Sequence, residues 1–375
     1  MRLVSIILLT VVLAGPAGAQ IQFDTKALLE DYSLELFSTN AKGFMSPLVI
    51  VSNVGANDAF YNRAYVPKKN RLYIDVSVRS MVAFVLDDER SFTATLPLDE
   101  KPNPHAPLSQ EWLRVVQLNY FKLQLRGAVA AGELETRVTT ATVFGAEGSG
   151  FTIPKEYIQK NVAGIDSATL ARLPSQLALT PGTNQDMVVA AVPQVTIGSY
   201  YSTELLLRYV PPVVFDVNIG KFSFFGIAVK HAFTNWFDNA PVDAALQVGF
   251  QHSTIENEVG ITRAKLEART DLFAVNVHAS RRFDWIEPYA GFSFESLSSE
   301  GSYTFTLPAN IKEEIGYDID PQTAPVSLDD NAVKLTLGVT AHLGRAQIFA
   351  GAGIAKHLIF SGGLAWRFDT GLDLD

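Results

Sequence analysis

His278 and Ser280 are the only pairing in this chain whose types and spacing suggest a nucleophile beside a base. A serine hydroxyl needs an imidazole within hydrogen-bond reach before it attacks anything, and two-residue spacing on a β-strand places both side chains on one face. Phe273, Val275, Val277 and Ala279 occupy the other face, and no third group stands out that would orient the ring. We expect no catalysis here. The six histidines are scattered without H-x-x-x-H or similar ligand spacing, and Asp369, Asp373 and Asp375 lack the glycine-centred loop of a calcium hand. Gly145, Gly148 and Gly150 cluster without the lysine of a phosphate loop, so neither metal nor cofactor is expected.

The elements that carry these residues alternate with a period of two. Val333, Leu335, Leu337, Val339, Ala341 and Leu343 interleave with Lys334, Thr336, Gly338, Thr340 and His342, which gives a strand with one apolar and one polar face. Fourteen segments read as strands: 72–84, 91–96, 118–131, 133–144, 200–209, 213–220, 222–232, 243–252, 260–268, 271–282, 287–296, 332–343, 346–354 and 357–368. Several have about the 9 to 11 residues that cross a membrane when tilted. An even count lets both ends of a barrel finish on one side. The expected fold is therefore all-β and membrane-embedded, an antiparallel up-and-down transmembrane β-barrel of about 14 strands. Lipid cannot hydrogen-bond an open strand edge, so the sheet must close.

Ahead of the strands, Asp24 can cap a helix over 25–37, an expected hatch or plug within an N-terminal segment spanning 20–69. The barrel is expected over 70–368 with a long insertion at 145–199, followed by a solvated acidic tail at 369–375. The insertion and 97–117 then fall on the periplasmic side, where turns should be short, and 297–331 reads as an outer loop. If the apolar faces meet lipid, the lumen receives Asp75, Arg79, Lys122, Arg126, Glu204, Arg208, Lys230, His278, Glu295, Lys334 and His342, with Gln124, Asp216, Asn218, Gln247, Gln251 and Arg282 beside them. Both signs occur, which favours paired ladders over a single-sign ion filter. Inward-pointing Tyr200, Phe224 and Tyr289 offer an apolar path for a greasy solute, or fill space beside a plug.

Arg2, the apolar run 3–13 and the small residues Ala17, Gly18 and Ala19 read as a secretory signal over 1–19, cleaved before Gln20. Losing Arg2 with it takes the formal charge from −9 to −10, which gives no basic footprint for nucleic acid. The chain has no cysteine, so neither disulfides nor thiolate chemistry are available. Charged residues make up 18%, against about 25% in a typical soluble domain. That deficit suits a lipid-facing exterior. The outer membrane of a Gram-negative-type bacterium is the expected location, with its lipid and its assembly machinery as partners.

Asn57-Asp58-Ala59-Phe60-Tyr61-Asn62-Arg63-Ala64, just before the strand from Leu72, resembles the N-terminal region of the long-chain fatty-acid transporter family, with Arg63 where that family has proline. That resemblance implies a periplasm-side hatch and passive movement of hydrophobic molecules. Gly198, Thr203-Glu204, Arg208-Tyr209, Pro211 and the run Gly226 to His231 resemble an uncharacterised family of outer-membrane proteins from Bacteroidetes and relatives, which implies the fold and no activity. The alternation Phe360, Gly362, Leu364, Trp366, Phe368 suits a last barrel strand. Two functions are carried forward: a passive channel for a small hydrophobic or amphipathic solute, and a closed structural or adhesive barrel acting through its outer loops. A soluble exported sandwich is the third.

Overall fold

The computed structural model describes residues 24–373 except 69, 108, 162–166, 217–219, 260–263, 307–311, 314 and 315, so the signal reading lies outside the described residues. Its elements are α1 (Thr25–Ala56), β1 (Arg71–Phe84), β2 (Ser91–Thr95), α2 (Gln110–Ala130), β3 (Arg137–Ala141), β4 (Gly150–Thr152), α3 (Lys155–Asn161), α4 (Ser167–Ala171), β5 (Gln176–Ala178), β6 (Met187–Tyr200), β7 (Thr203–Asp216), β8 (Gly220–His231), β9 (Asp243–Val259), β10 (Ala264–Ser280), β11 (Ile286–Phe305), β12 (Gln322–Leu343), β13 (Ala346–Ile354) and β14 (Leu358–Asp373).

Ten of these strands, β1 and β6 to β14, close one antiparallel barrel, sealed where β1 pairs with β14 in the register Ile74 to Phe368. The expected fourteen become ten for local reasons. Residues 118–131 belong to α2, whose buried Leu118, Phe121, Leu125 and Ala128 recur at helical spacing behind an N-cap in which Ser109 accepts from the Trp112 N–H. Residues 91–96 and 133–144 contribute only the two-stranded β2–β3 sheet, separate from the barrel sheet. Pro211 and Pro212 make no turn. They lie inside β7 beyond its last pairing with β6, Gln194 with Arg208, where a bulge against β8 absorbs them. The expected break between 268 and 271 is absent, because β10 runs through it unbroken. Conversely, β6 lies where a long insertion was expected, and β14 extends through the supposed tail to pair Asp369 with Tyr73.

With ten strands the connections sort themselves. Residues 201–202, 232–242, 281–285 and 344–345 join strands at the end where β14 finishes, while 85–186, 306–321 and the three-residue connection 355–357 lie at the opposite end. The insertion is thus 85–186, and it caps the end opposite the short turns 201–202, 281–285 and 344–345.

Polarity inverts along the longest strands. On β10 the outward Val277 is 50% exposed and the inward His278 is buried, yet a few residues along, Lys265, Glu267, Arg269 and Asp271 point outward while Leu266, Ala268, Leu272 and Ala274 are buried inside. β11 and β12 do the same: Phe292 and Val333 face out near the short turns, whereas Leu297, Tyr303, Phe305, Ala324, Val326 and Leu328 face in near the cap. The barrel therefore has an apolar outer band, and beyond it a polar-skinned extension with an apolar inside.

That apolar inside is filled by α1. The helix is capped by Asp24, whose carboxylate accepts from the Ala27 N–H at 3.0 Å, and it runs well past the expected Phe37. Phe37 stacks on Phe305 and Phe44 lies 5.3 Å from Tyr303, and Leu36, Met45, Leu48 and Val49 join the same core. Burial on this scale, about 1.5–3 kcal/mol per large side chain, explains why a helix containing Pro47 persists for 32 residues. Its first turns dock on α2, where Arg114 forks onto Asp31 at 2.9 and 3.0 Å and the buried Lys122 pairs with Glu35.

Candidate functional site

From Asn57 the chain leaves the helix and crosses the polar half of the lumen to Pro67 before turning into β1. Each step is held by the wall. Gln251 on β9 donates to the Asn57 side chain, and Lys334 on β12 lies 3.5 Å from Asp58 and 2.6 Å from Glu295. The Ala59 carbonyl accepts from Arg208 at 2.7 Å and also from Arg79, and the Arg208 guanidinium covers the Phe60 ring at 4.0 Å. Tyr61 stacks on His278 with centroids 3.9 Å apart and planes 7° from parallel. Asn62 bonds Gln347 at 3.2 Å, and its carbonyl accepts from Thr340.

Arg63 is the centre of the arrangement. Its guanidinium donates to Asp75 at 2.9 Å, to Glu204 at 3.1 Å and to Gln347 at 3.0 Å. Glu204 is also paired with Lys230 and accepts from Tyr73, while Asp75 receives a two-pronged contact of 2.8 Å from Arg367. All are buried or nearly so, and in a low-dielectric interior such charges persist only when matched and hydrogen-bonded. Further on, the Ala64 N–H donates to Ser280 at 2.8 Å, Ser280 donates to Glu287 at 2.6 Å, and His342 reaches the other Glu287 oxygen at 2.7 Å. The gaps beside Asn57 to Arg63 are about the size of one water.

The wall is cut to receive rings. A Cβ on Gly338 would sit 2.3 Å from the Tyr289 ring, and one on Gly291 would sit 2.5 Å from both the Tyr61 hydroxyl and the His278 Cβ. Gly338→Ala is expected to cost about 1–3 kcal/mol through displacement of Tyr289. A lowered urea midpoint in detergent measures it, and an unchanged midpoint means that the slot is slack.

Asp75, Arg79, Glu204, Arg208, Lys230, His278, Glu295, Lys334 and His342 all point inward, as do Gln247 and Gln251. Lys122, Gln124 and Arg126 do not reach the lumen: they ride on α2, where Arg126 bonds Glu100 at 2.7 Å, because the segment is a helix. Tyr200 is also misplaced. It ends β6 at the short-turn rim and is 54% exposed, because the ladder to β7 slips between Gly198 and Tyr200, which buries Ser199 and turns Tyr200 outward. Phe224 and Tyr289 are inward and buried. Arg282 is exposed in a turn, the Asp216 side chain is not described, and Asn218 lies outside the described residues. Among the described residues no cluster of histidine, aspartate and glutamate is arranged to hold a metal ion. Arg63 was missed as a lumen residue. Its signal was the motif itself, a lone arginine among small and aromatic residues.

The model of a family of unknown function, DUF6588, matches residues 1–368, and the chain belongs to that family. No curated protein matches it. Among solved structures it is similar to the attachment invasion locus protein Ail of Yersinia pestis (12% identity, 44% of this chain and 95% of that one, TM-score 0.24). It is similar also to the outer-membrane protease OmpT of Escherichia coli (9% identity, 81% and 99%, TM-score 0.32) and to the translocator domain of the autotransporter NalP of Neisseria meningitidis (8% identity, 89% and 99%, TM-score 0.23). Likeness at this level implies neither an activity nor a location.

Proposed function

We propose that this DUF6588 member is an outer-membrane β-barrel closed at rest by its own segment 24–68, and that withdrawal of this plug opens a passive path for a small hydrophobic or amphipathic solute. The outward band supports the membrane placement. Val78, Val229, Phe250, Val277, Phe292 and Leu364, spread around the cylinder, are 42–62% exposed, far more apolar surface than water tolerates. Exposed Trp236, Phe237, Phe283 and Trp285 gather at the short turns, where an aromatic belt belongs. By the usual orientation those turns face the periplasm and the insertion faces outward. Outer-membrane lipid and the assembly machinery are the partners this reading names, and it assigns no reaction to His278 and Ser280.

One observation carries the gating: residues 57–66 are held by hydrogen bonds and ion pairs that water can replace, whereas α1 above them is held by apolar packing. The second reading is a permanently closed barrel acting through its cap, favoured by how completely the plug fills the lumen. Planar-bilayer recording separates them. Wild type is expected to be silent, and Arg63→Ala is expected to show intermittent openings, because it removes the plug's main anchor but leaves Arg367 on Asp75 and Lys230 on Glu204. A folded, silent Arg63→Ala leaves only the closed reading.

A further inference from the structure

Among the described residues four buried acids line the lumen wall, and each has a partner on the wall itself: Asp75 with Arg367, Glu204 with Lys230, Glu295 with Lys334, and Glu287 with His342. Arg79 and Arg208 are additional cations. Both turn their guanidinium N–H groups onto the plug, where they share the Ala59 carbonyl, and Arg208 also reaches the Asp58 carbonyl at 3.2 Å. Two buried guanidiniums converging on one neutral oxygen repel each other, and an anion in that position would relieve the repulsion where a carbonyl dipole does so only in part. The wall also fixes their direction: Arg79 lies over the Phe349 ring at 4.7 Å, and the Arg208 Nε donates to Gln194 at 2.9 Å. The pair is therefore preorganised by groups that stay behind when the plug leaves.

We propose that Arg79 and Arg208 form an anion-binding constriction in the open lumen, and that the Ala59 carbonyl occupies it as a built-in substitute in the closed state. The ligand class is a small anion or the anionic end of a larger solute, accepted by two guanidinium forks. This deepens the gated reading and rests on it. A lumen in which these cations outnumber unmatched acids passes anions in preference to cations.

The test uses full-length Arg63→Ala in planar bilayers under a tenfold potassium chloride gradient, after heat-modifiable migration has established a folded barrel. The openings are expected to favour chloride over potassium by about threefold or more, and the preference is expected to fall by at least about twofold when Arg79→Gln and Arg208→Gln are added. Openings that are unselective or favour potassium overturn the anion site and leave the gate standing. Openings whose chloride preference survives both substitutions also overturn it. A folded variant with no openings overturns the gate and the site together. If Arg63→Ala does not fold, Tyr61→Ala, which removes the stack on His278 and the edge contact with Tyr289 but breaks no ion pair, is recorded in the same way.

Discussion

Glu204→Gln is expected to lower the stability of the folded barrel by about 3–5 kcal/mol, the largest single loss in the lumen. The substitution preserves shape and removes one negative charge. Arg63 keeps Asp75, but Lys230 is buried beside a neutral amide and Tyr73 loses a charged acceptor. Arg63→Ala should cost less, although it breaks more contacts, because both acids then retain a wall cation. This inverted ranking distinguishes charge matching from contact counting. Glu204→Gln with Lys230→Met removes the stranded cation and should recover more than half of the loss. Urea midpoints, read from the heat-modifiable band in detergent, measure all three variants. If Glu204→Gln unfolds with wild type, the cluster is solvated and the plug is not anchored by charge.

How far the sequence carries the fold depends on which face of each strand is apolar. The segments 72–84 and 346–354 keep one outward apolar face throughout and their boundaries fall within a residue or two of the structure, as do those of 222–232, whose apolar face changes only between the inward Phe224 and the outward Phe225 near its start. β10, β11 and β12 change parity midway, from Leu266, Ala268 and Leu272 inside to Phe273, Val275 and Val277 outside, and again between Leu297 and Phe294 and between Leu328 and Val333. A parity switch read along the chain looks like a strand end, which is why 297–331 was expected as a loop and β10 as two strands. β6 escaped because Pro193, one residue beyond the last β7 pairing, argues against a central strand. The charged lumen residues on true strands were legible, since their neighbours alternate cleanly. Lys122 and Arg126 were not, because two-residue alternation over 118–131 concealed the 3.6-residue repeat that buries Phe121 and Leu125. The full length of α1 was hidden by Gly43, Pro47 and Gly55, whose helix-breaking tendency is overridden by packing that only the closed barrel supplies.

On the proposed membrane placement the parity switch marks where hydrocarbon ends, and that can be tested on one strand. Val277→Arg places a charge in the outward apolar band, where it should cost about 2–4 kcal/mol if lipid lies against it, and the variant should accumulate as heat-insensitive, unfolded protein. Arg269→Leu, eight positions along the same face but beyond the inversion, should change the stability by no more than about 0.5 kcal/mol, because water covers that surface, and so leave the urea midpoint nearly unmoved. Leu266→Arg completes the set: buried among the residues around α1, it should be as damaging as Val277→Arg although it points the opposite way. A soluble barrel predicts otherwise, since Val277 would be an ordinary exposed valine and its substitution would be neutral. Equal tolerance at Val277 and Arg269 would therefore remove the membrane from the proposal, and with it the assignment of the short turns to the periplasm. Loss at Val277 and Leu266 with tolerance at Arg269 is the pattern expected of a strand that passes from lipid into water while its neighbours pass from a polar lumen into a helix-filled core.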